Sequence, residues 1–164
     1  MAGILIIGYG NPGRADDGLG PAFAEEIEKM SLKSVVVESD YQLSVEHAYD
    51  IAKSEVAILV DADTSCAEPF EVKKVIPSEV FSFSSHSVLP GSLATLTKDF
   101  SGVEKDIYLV GIRGYEFNSF KEELSEAAKK NLERAVETIS RILKYSNMDE
   151  LREKLNNMSR RTGE

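Results

Sequence analysis

The chain opens with an unbroken apolar run, Gly3 to Ile7 (GILII), and a second such run spans Ala57 to Val60 (AILV). Short runs with no polar residue interleaved match strands covered on both faces, as in a parallel sheet packed between helices. Val35-Val36-Val37 forms a third, β-branched run, and Ile107 to Ile112 (IYLVGI) is another apolar one. Glu71 to Ile76 alternates, the pattern of an edge or antiparallel strand. Between these runs the apolar spacing changes to three and four. Phe23, Ile27 and Met30 share one face of a helix predicted over residues 21–30, and Val45, Ala48, Ile51 and Ala52 do so over 45–53. Val88, Leu93 and Leu96 mark a helix over 87–100, opened by a serine cluster that can cap it. The longest predicted helix runs from about Phe120 to Tyr145, with Leu124, Ala128, Leu132, Ala135, Val136, Ile139 and Leu143 as its buried stripe. Strands alternating with helices predict an α/β doubly wound sheet. One domain is expected over residues 1–145, followed by a polar tail or peripheral helix over 146–164.

Composition narrows the function classes. The chain has 164 residues, 42% of them hydrophobic, enough for one well-buried core. Its 19 basic residues against 28 acidic ones give a net charge of −9. Both nucleic-acid and anionic-membrane binding need basic surface, so neither partner is expected. The single cysteine, Cys66, excludes an internal disulfide and a multi-cysteine zinc site. No apolar run approaches 18 residues, and no basic region precedes the short apolar start. A cytoplasmic protein is the expectation.

The first loop carries an ambiguous motif. Gly8-Tyr9-Gly10-Asn11-Pro12-Gly13 matches the dinucleotide-binding pattern G-x-G-x-x-G, and Glu38 follows the next apolar run where a ribose-binding acid would sit. Against a nucleotide stand Pro12 and Gly13, poor openers for a helix, and Asp16-Asp17, two negative charges where a pyrophosphate needs a positive helix terminus. The alternative is a glycine-rich loop that delivers a carboxylate to the C-terminal edge of a parallel sheet. One of the two aspartates can cap the following helix while the other faces the cleft.

A second acidic cluster, Asp61-Ala62-Asp63, ends the AILV strand. A carboxylate there either closes the strand through an Asx-turn or needs a partner, because burying it alone is costly. For Asp63 the turn is the expected role. Of the two histidines, His47 lies among acids on a predicted helix and reads as a solvated surface residue, whereas His86 lies in a serine-rich loop. Asp17, Asp61 and His86 together would make a carboxylate and imidazole site suited to zinc or nickel. A Ser85-His86 nucleophile pair is disfavoured, since adjacent loop residues seldom face each other and no G-x-S-x-G elbow exists.

Taken together, Gly8-Tyr9-Gly10-Asn11, Asp16-Asp17-Gly18-Leu19-Gly20-Pro21, Val60-Asp61-Ala62 and Ser85-His86 resemble the nickel–iron hydrogenase maturation endopeptidases. The resemblance spans roughly residues 3 to 145. It implies a three-layer α/β/α sandwich of the phosphorylase/hydrolase-like kind, on a mixed five-stranded sheet of order 2-1-3-5-4 with strand 4 antiparallel. It also implies a hydrolase that trims the C-terminal extension of a hydrogenase large-subunit precursor once nickel has been inserted. Asp17, Asp61 and His86 match the family's metal-contacting positions. The nickel is carried by the substrate, with zinc or cadmium as surrogates, and the implied partner is the precursor. A metal-polarised carbonyl, a metal-activated water and an aspartate general base all remain open as chemistry. Asp40 falls where the family has an Asp-Gly-Gly stretch linked to substrate selection, although this chain reads Asp40-Tyr41-Gln42-Leu43. After the last strand, Gly111-Ile112-Arg113-Gly114 replaces the family's Gly-Ile-x-Pro. A nucleotide-binding enzyme built on Gly8, Gly10 and Gly13, and a non-catalytic nickel-recognising assembly factor, are the competing readings.

Overall fold

Alternate residues of each central strand belong to different halves of the core. Ile4 and Ile6 of β1 (Ile4–Tyr9), Ile58 and Val60 of β3 (Val56–Asp63) and Tyr108 and Val110 of β5 (Asp106–Arg113) pack with Phe23, Ile139, Leu151 and Leu155 on one face. Leu5 and Ile7, Ala57 and Leu59, and Ile107 pack with Leu43, Ile51 and Leu93 on the other. Side chains alternate across a strand, so strands with apolar residues on both parities need helices on both faces. The first face is covered by α1 (Leu19–Lys29), α4 (Glu126–Tyr145) and α5 (Met148–Thr162), and the second by α2 (His47–Ala52) and α3 (Pro90–Ser101). This computed structural model describes residues 3–78 and 88–162.

The sheet order is β2-β1-β3-β5-β4, with β2 at Val35–Asp40 and β4 at Phe70–Lys74. β1 runs parallel to both β2 and β3, β3 runs parallel to β5, and β4 is antiparallel to β5. The three-layer mixed sheet implied by the family resemblance is therefore the fold observed. Among the described residues no helix is long and apolar enough to cross a membrane.

Helix ends shift from the sequence patterns by one to three residues in α1, α2 and α3, and two further differences are larger. α4 starts at Glu126, because Ser125 is extended (φ −63°, ψ 156°) and its Oγ accepts the Ala128 amide at 3.2 Å. The preceding residues belong to the segment after β5, which has partners of its own. Beyond Ser146 the chain forms α5, whose Leu151 and Leu155 are 1% and 0% exposed. α5 is also tied to the sheet by Lys74 N donating to Ser159 Oγ (2.7 Å), Tyr108 Oη to Asn156 Oδ1 (2.6 Å) and Arg152 Nε to Asp106 Oδ2 (2.9 Å). The i, i+4 spacing of these two leucines carried the signal, diluted by the polar residues around them. Leu155→Ala is expected to cost about 2–5 kcal/mol through the lost burial and the cavity left behind. Urea unfolding should show this as a lower midpoint at unchanged slope.

Candidate active site

β1 and β3 are parallel neighbours in register from Ile4–Val56 to Gly8–Val60, so their following segments leave the sheet at the same C-terminal edge. That edge is where open α/β sheets build their sites. α1 can approach it closely only because residue 20 is glycine. A Cβ on Gly20 would overlap the carbonyl oxygens of Tyr9 and Val60, and one on Gly8 would overlap that of Gly20. The spacing of the two glycine motifs thus reflects a contact between strand and helix.

Asp16 and Asp17 share a 3-10 turn, Ala15–Gly18, and take opposite roles. Asp16 is fully buried. Its Oδ1 accepts Ser125 N (2.7 Å), and its Oδ2 accepts Tyr115 N (2.8 Å), Glu116 N (2.9 Å) and Ser125 Oγ (2.8 Å). Burial alone would raise its pKa, but these hydrogen bonds outweigh it and hold the carboxyl below its usual range. The residue holds Ser125, the N-cap of the distant α4, instead of capping the helix that follows it in sequence. Gly114 is glycine for the same reason: a Cβ there would press on Asp16 Cβ at 3.0 Å, and its amide donates to Asp63 O (2.9 Å), which a proline could not do.

Asp17 is half-buried, and its Oδ2 accepts the Asn11 amide at 2.8 Å. Asp61, also half-buried, is reached by its charge. Burial pushes the Asp61 carboxyl up, the Ala62 amide (2.8 Å) opposes this, and the charges of Asp17 and Asp63 push it further, to about 7. The Tyr9 hydroxyl faces Asp61, and burial together with that carboxylate keeps the phenol protonated. Nothing in the sequence pattern distinguishes this tyrosine from a core aromatic. Asp63 forms the expected turn, accepting Ser65 N (2.9 Å) and Cys66 N (3.0 Å) on Oδ1. Cys66 is buried with its thiol pushed up to about 11 by burial, which leaves it protonated and a poor ligand. His86 lies outside the described residues. Among the described residues no three potential metal-binding side chains converge.

Asp40 ends β2 opposite Tyr9, with its carbonyl accepting Gly10 N (3.1 Å) and its Oδ1 accepting Tyr41 N (2.7 Å). It borders a small cleft of about 200 Å³ formed with Gly10, Pro12, Pro21, Ser39 and Tyr41. His47 corrects the expectation of a solvated residue, being 6% exposed. Its Nδ1 accepts Ser44 N (2.9 Å), and Nε2 lies 3.7 Å from Asp40 Oδ2. Leu43, His47 and Ile51 recur at four-residue spacing, which was the readable sign of an inward face.

The glycine loop offers no cradle for a pyrophosphate. Its amides already have acceptors: Gly10 on Asp40 O, Asn11 on Asp17 Oδ2, Gly13 on Asn11 Oδ1, Arg14 on Asn11 O, Ala15 on Lys121 O and Asp16 on Glu116 O. A dinucleotide site needs such amides free at a helix N-terminus. Glu38 is hydrogen-bonded to Asp50 and pushed up to about 7 by burial and that neighbour, so it too is engaged.

No protein-family model matches the chain. A protein of Methanocaldococcus jannaschii, described as a hydrogenase maturation protease, is 34% identical over 149 residues, covering 83% of this chain and 93% of its own length. Among solved structures, the NiFe hydrogenase maturation protease HycI from Thermococcus kodakarensis KOD1 superposes with a TM-score of 0.68 at 28% identity, covering 87% of this chain and 93% of that one. The hydrogenase maturating endopeptidase HybD from E. coli gives a TM-score of 0.64 over 84% of this chain and 89% of its own; at 21% identity that likeness speaks for the fold alone.

The raised pKa of Asp61 has a defined consequence for stability. Unfolded, this aspartate titrates near 3.8; folded, near 7. Between those values the folded state binds more protons, so the contribution of Asp61 to stability falls as pH rises through that window. Asp61→Asn removes the effect and leaves that of Asp16 in place. In metal-free buffer, the melting temperature of the variant relative to the parent should rise by several degrees, on the order of 2–4 °C per kcal/mol, between about pH 4 and pH 8. A constant offset across that range would contradict the burial of this charge.

Proposed function

Because the chain belongs to the hydrogenase maturation protease family, we propose that its substrate is a nickel–iron hydrogenase large-subunit precursor, cut once to remove the C-terminal extension after nickel insertion. The chain is a peptidase, and hydrolysis adds water across a single peptide bond of that partner. In this reading Asp17, Asp61 and His86 contact the nickel carried by the precursor, and Asp40 contributes to substrate recognition. The ion belongs to the substrate, so the protease needs no resident metal, and zinc or cadmium can stand in as probes.

The observation that supports this most is the electrostatic coupling of two carboxylates at one sheet edge, with Asp61 held partly protonated at neutral pH. Two acids that repel each other favour a cation between them, and an ion there releases the proton. The contrast with Asp16 supports the division of roles, since its charge is already satisfied by four donors. A substrate-borne cation held by Asp17 and Asp61 can polarise the scissile carbonyl or lower the pKa of an attacking water.

Incubating the protein with nickel-loaded and nickel-free precursor, then measuring intact mass, tests this directly. One discrete C-terminal loss from the loaded precursor alone is expected. Equal cleavage of both forms would remove nickel from the recognition step, and association without cleavage would favour a non-catalytic assembly factor. Asp17→Ala, Asp61→Ala and His86→Ala should each abolish processing. Their melting temperatures should stay near the parent's, or rise for the two aspartate variants, because removing one of two repelling carboxylates relieves the other.

A further inference from the structure

The fourfold-satisfied Asp16 does more than bury a charge. All of its side-chain donors lie in residues 115–125, about a hundred positions along the chain. The same two segments are joined in the reverse direction. Asp16 N donates to Glu116 O (2.8 Å), Ala15 N to Lys121 O (2.9 Å) and Arg14 Nε to Phe117 O (2.8 Å). Within the single 3-10 turn that holds Asp16, Asp17 N reaches Arg14 O at 3.1 Å and Leu19 N reaches Asp16 O. In a 3-10 turn successive side chains point about 120° apart. With Asp16 directed inward and fixed, Asp17 must point elsewhere, and it meets Asn11 N at 2.8 Å on the side of the sheet edge.

We propose that Asp16 is a positioning residue, whose hydrogen bonds to the segment after β5 set the direction of the Asp17 carboxylate. The catalytic significance of this rests on the reading of Asp17 as a site residue. Replacement by asparagine is a sharp probe, because the new NH2 group faces a backbone N–H whichever way the amide is turned. At least one bond is lost and a donor is set against a donor.

The Asn11 amide reports where Asp17 is, since the Asp17 carboxylate is its acceptor. Hydrogen exchange at Asn11, normalised to a core β3 amide such as Leu59, separates local release from global unfolding. In Asp16→Asn, normalised exchange at Asn11 should rise by about tenfold or more, with a parallel loss of kcat on the nickel-loaded precursor. Should that variant fail to fold, Ser125→Ala removes the hydroxyl donor to Asp16 together with the α4 cap on Ala128 N, while the normalisation to Leu59 absorbs the cost of the cap to global stability, and Ser125→Thr restores both. Exchange at Asn11 should rise in the alanine variant and return to the parent value in the threonine variant. Unchanged Asn11 exchange in a folded Asp16→Asn protein, or in Ser125→Ala, overturns the proposal, because a role confined to holding Ser125 would disturb only the start of α4. Asp17→Asn, assayed for cleavage alongside, separates the two ideas. If it processes precursor normally, the site reading falls, while the exchange at Asn11 still decides the role of Asp16.

Discussion

The parallel pairing of β1 with β3 is the constraint on which the rest depends. Both strands are buried on both faces, so every polar side chain in this part of the chain is displaced to the strand ends. Parallel register then brings the segment after Tyr9 and the segment after Val60 to one edge. Gly8 and Gly20 make the arrangement tight, because no side chain fits where α1 crosses the ends of these strands. The aspartates arrive together as a result of this packing.

Three carboxylates at this edge respond to burial in different ways. Asp16 has four donors and is held below its usual range despite being fully buried. Asp61 has the Ala62 amide and the Tyr9 hydroxyl, too little to offset burial and the charges of Asp17 and Asp63. Donor count against desolvation decides which acid is structural and which is left wanting a cation. Asp63 takes a third course and closes its strand with a local turn.

The glycine motif shows how one pattern supports two physical outcomes. In a dinucleotide fold the same glycines free their amides for phosphate. Here the loop turns its amides onto Asp40, Asn11, Asp17 and the segment after β5, and the loop becomes self-contained. Asn11 and Asp17 account for the difference: each carries a side-chain oxygen that takes an amide a phosphate would need.

Element type and core facing were determined by the sequence itself, because periods of 2.0 and 3.6 follow from backbone geometry and need no distant partner. The GILII and AILV runs, the β5 run and the stripe of α4 all reappear as buried faces. Sheet order was legible only through family resemblance, since periodicity does not say which strands are neighbours, whereas the grouping of Asp17 with Asp61 followed from placing both at the C-terminal edge of a parallel sheet. Tertiary structure decided the partners of three residues. Asp16 acquires its donors from residues about a hundred positions away. His47 is buried by the packing of α2, with its ring beside Asp40. Tyr9 comes to face Asp61 only because two strands are parallel and in register. For Asp16 and Tyr9 the deciding energy lies in hydrogen bonds and desolvation between segments far apart in the chain, and local pattern holds no record of such contacts.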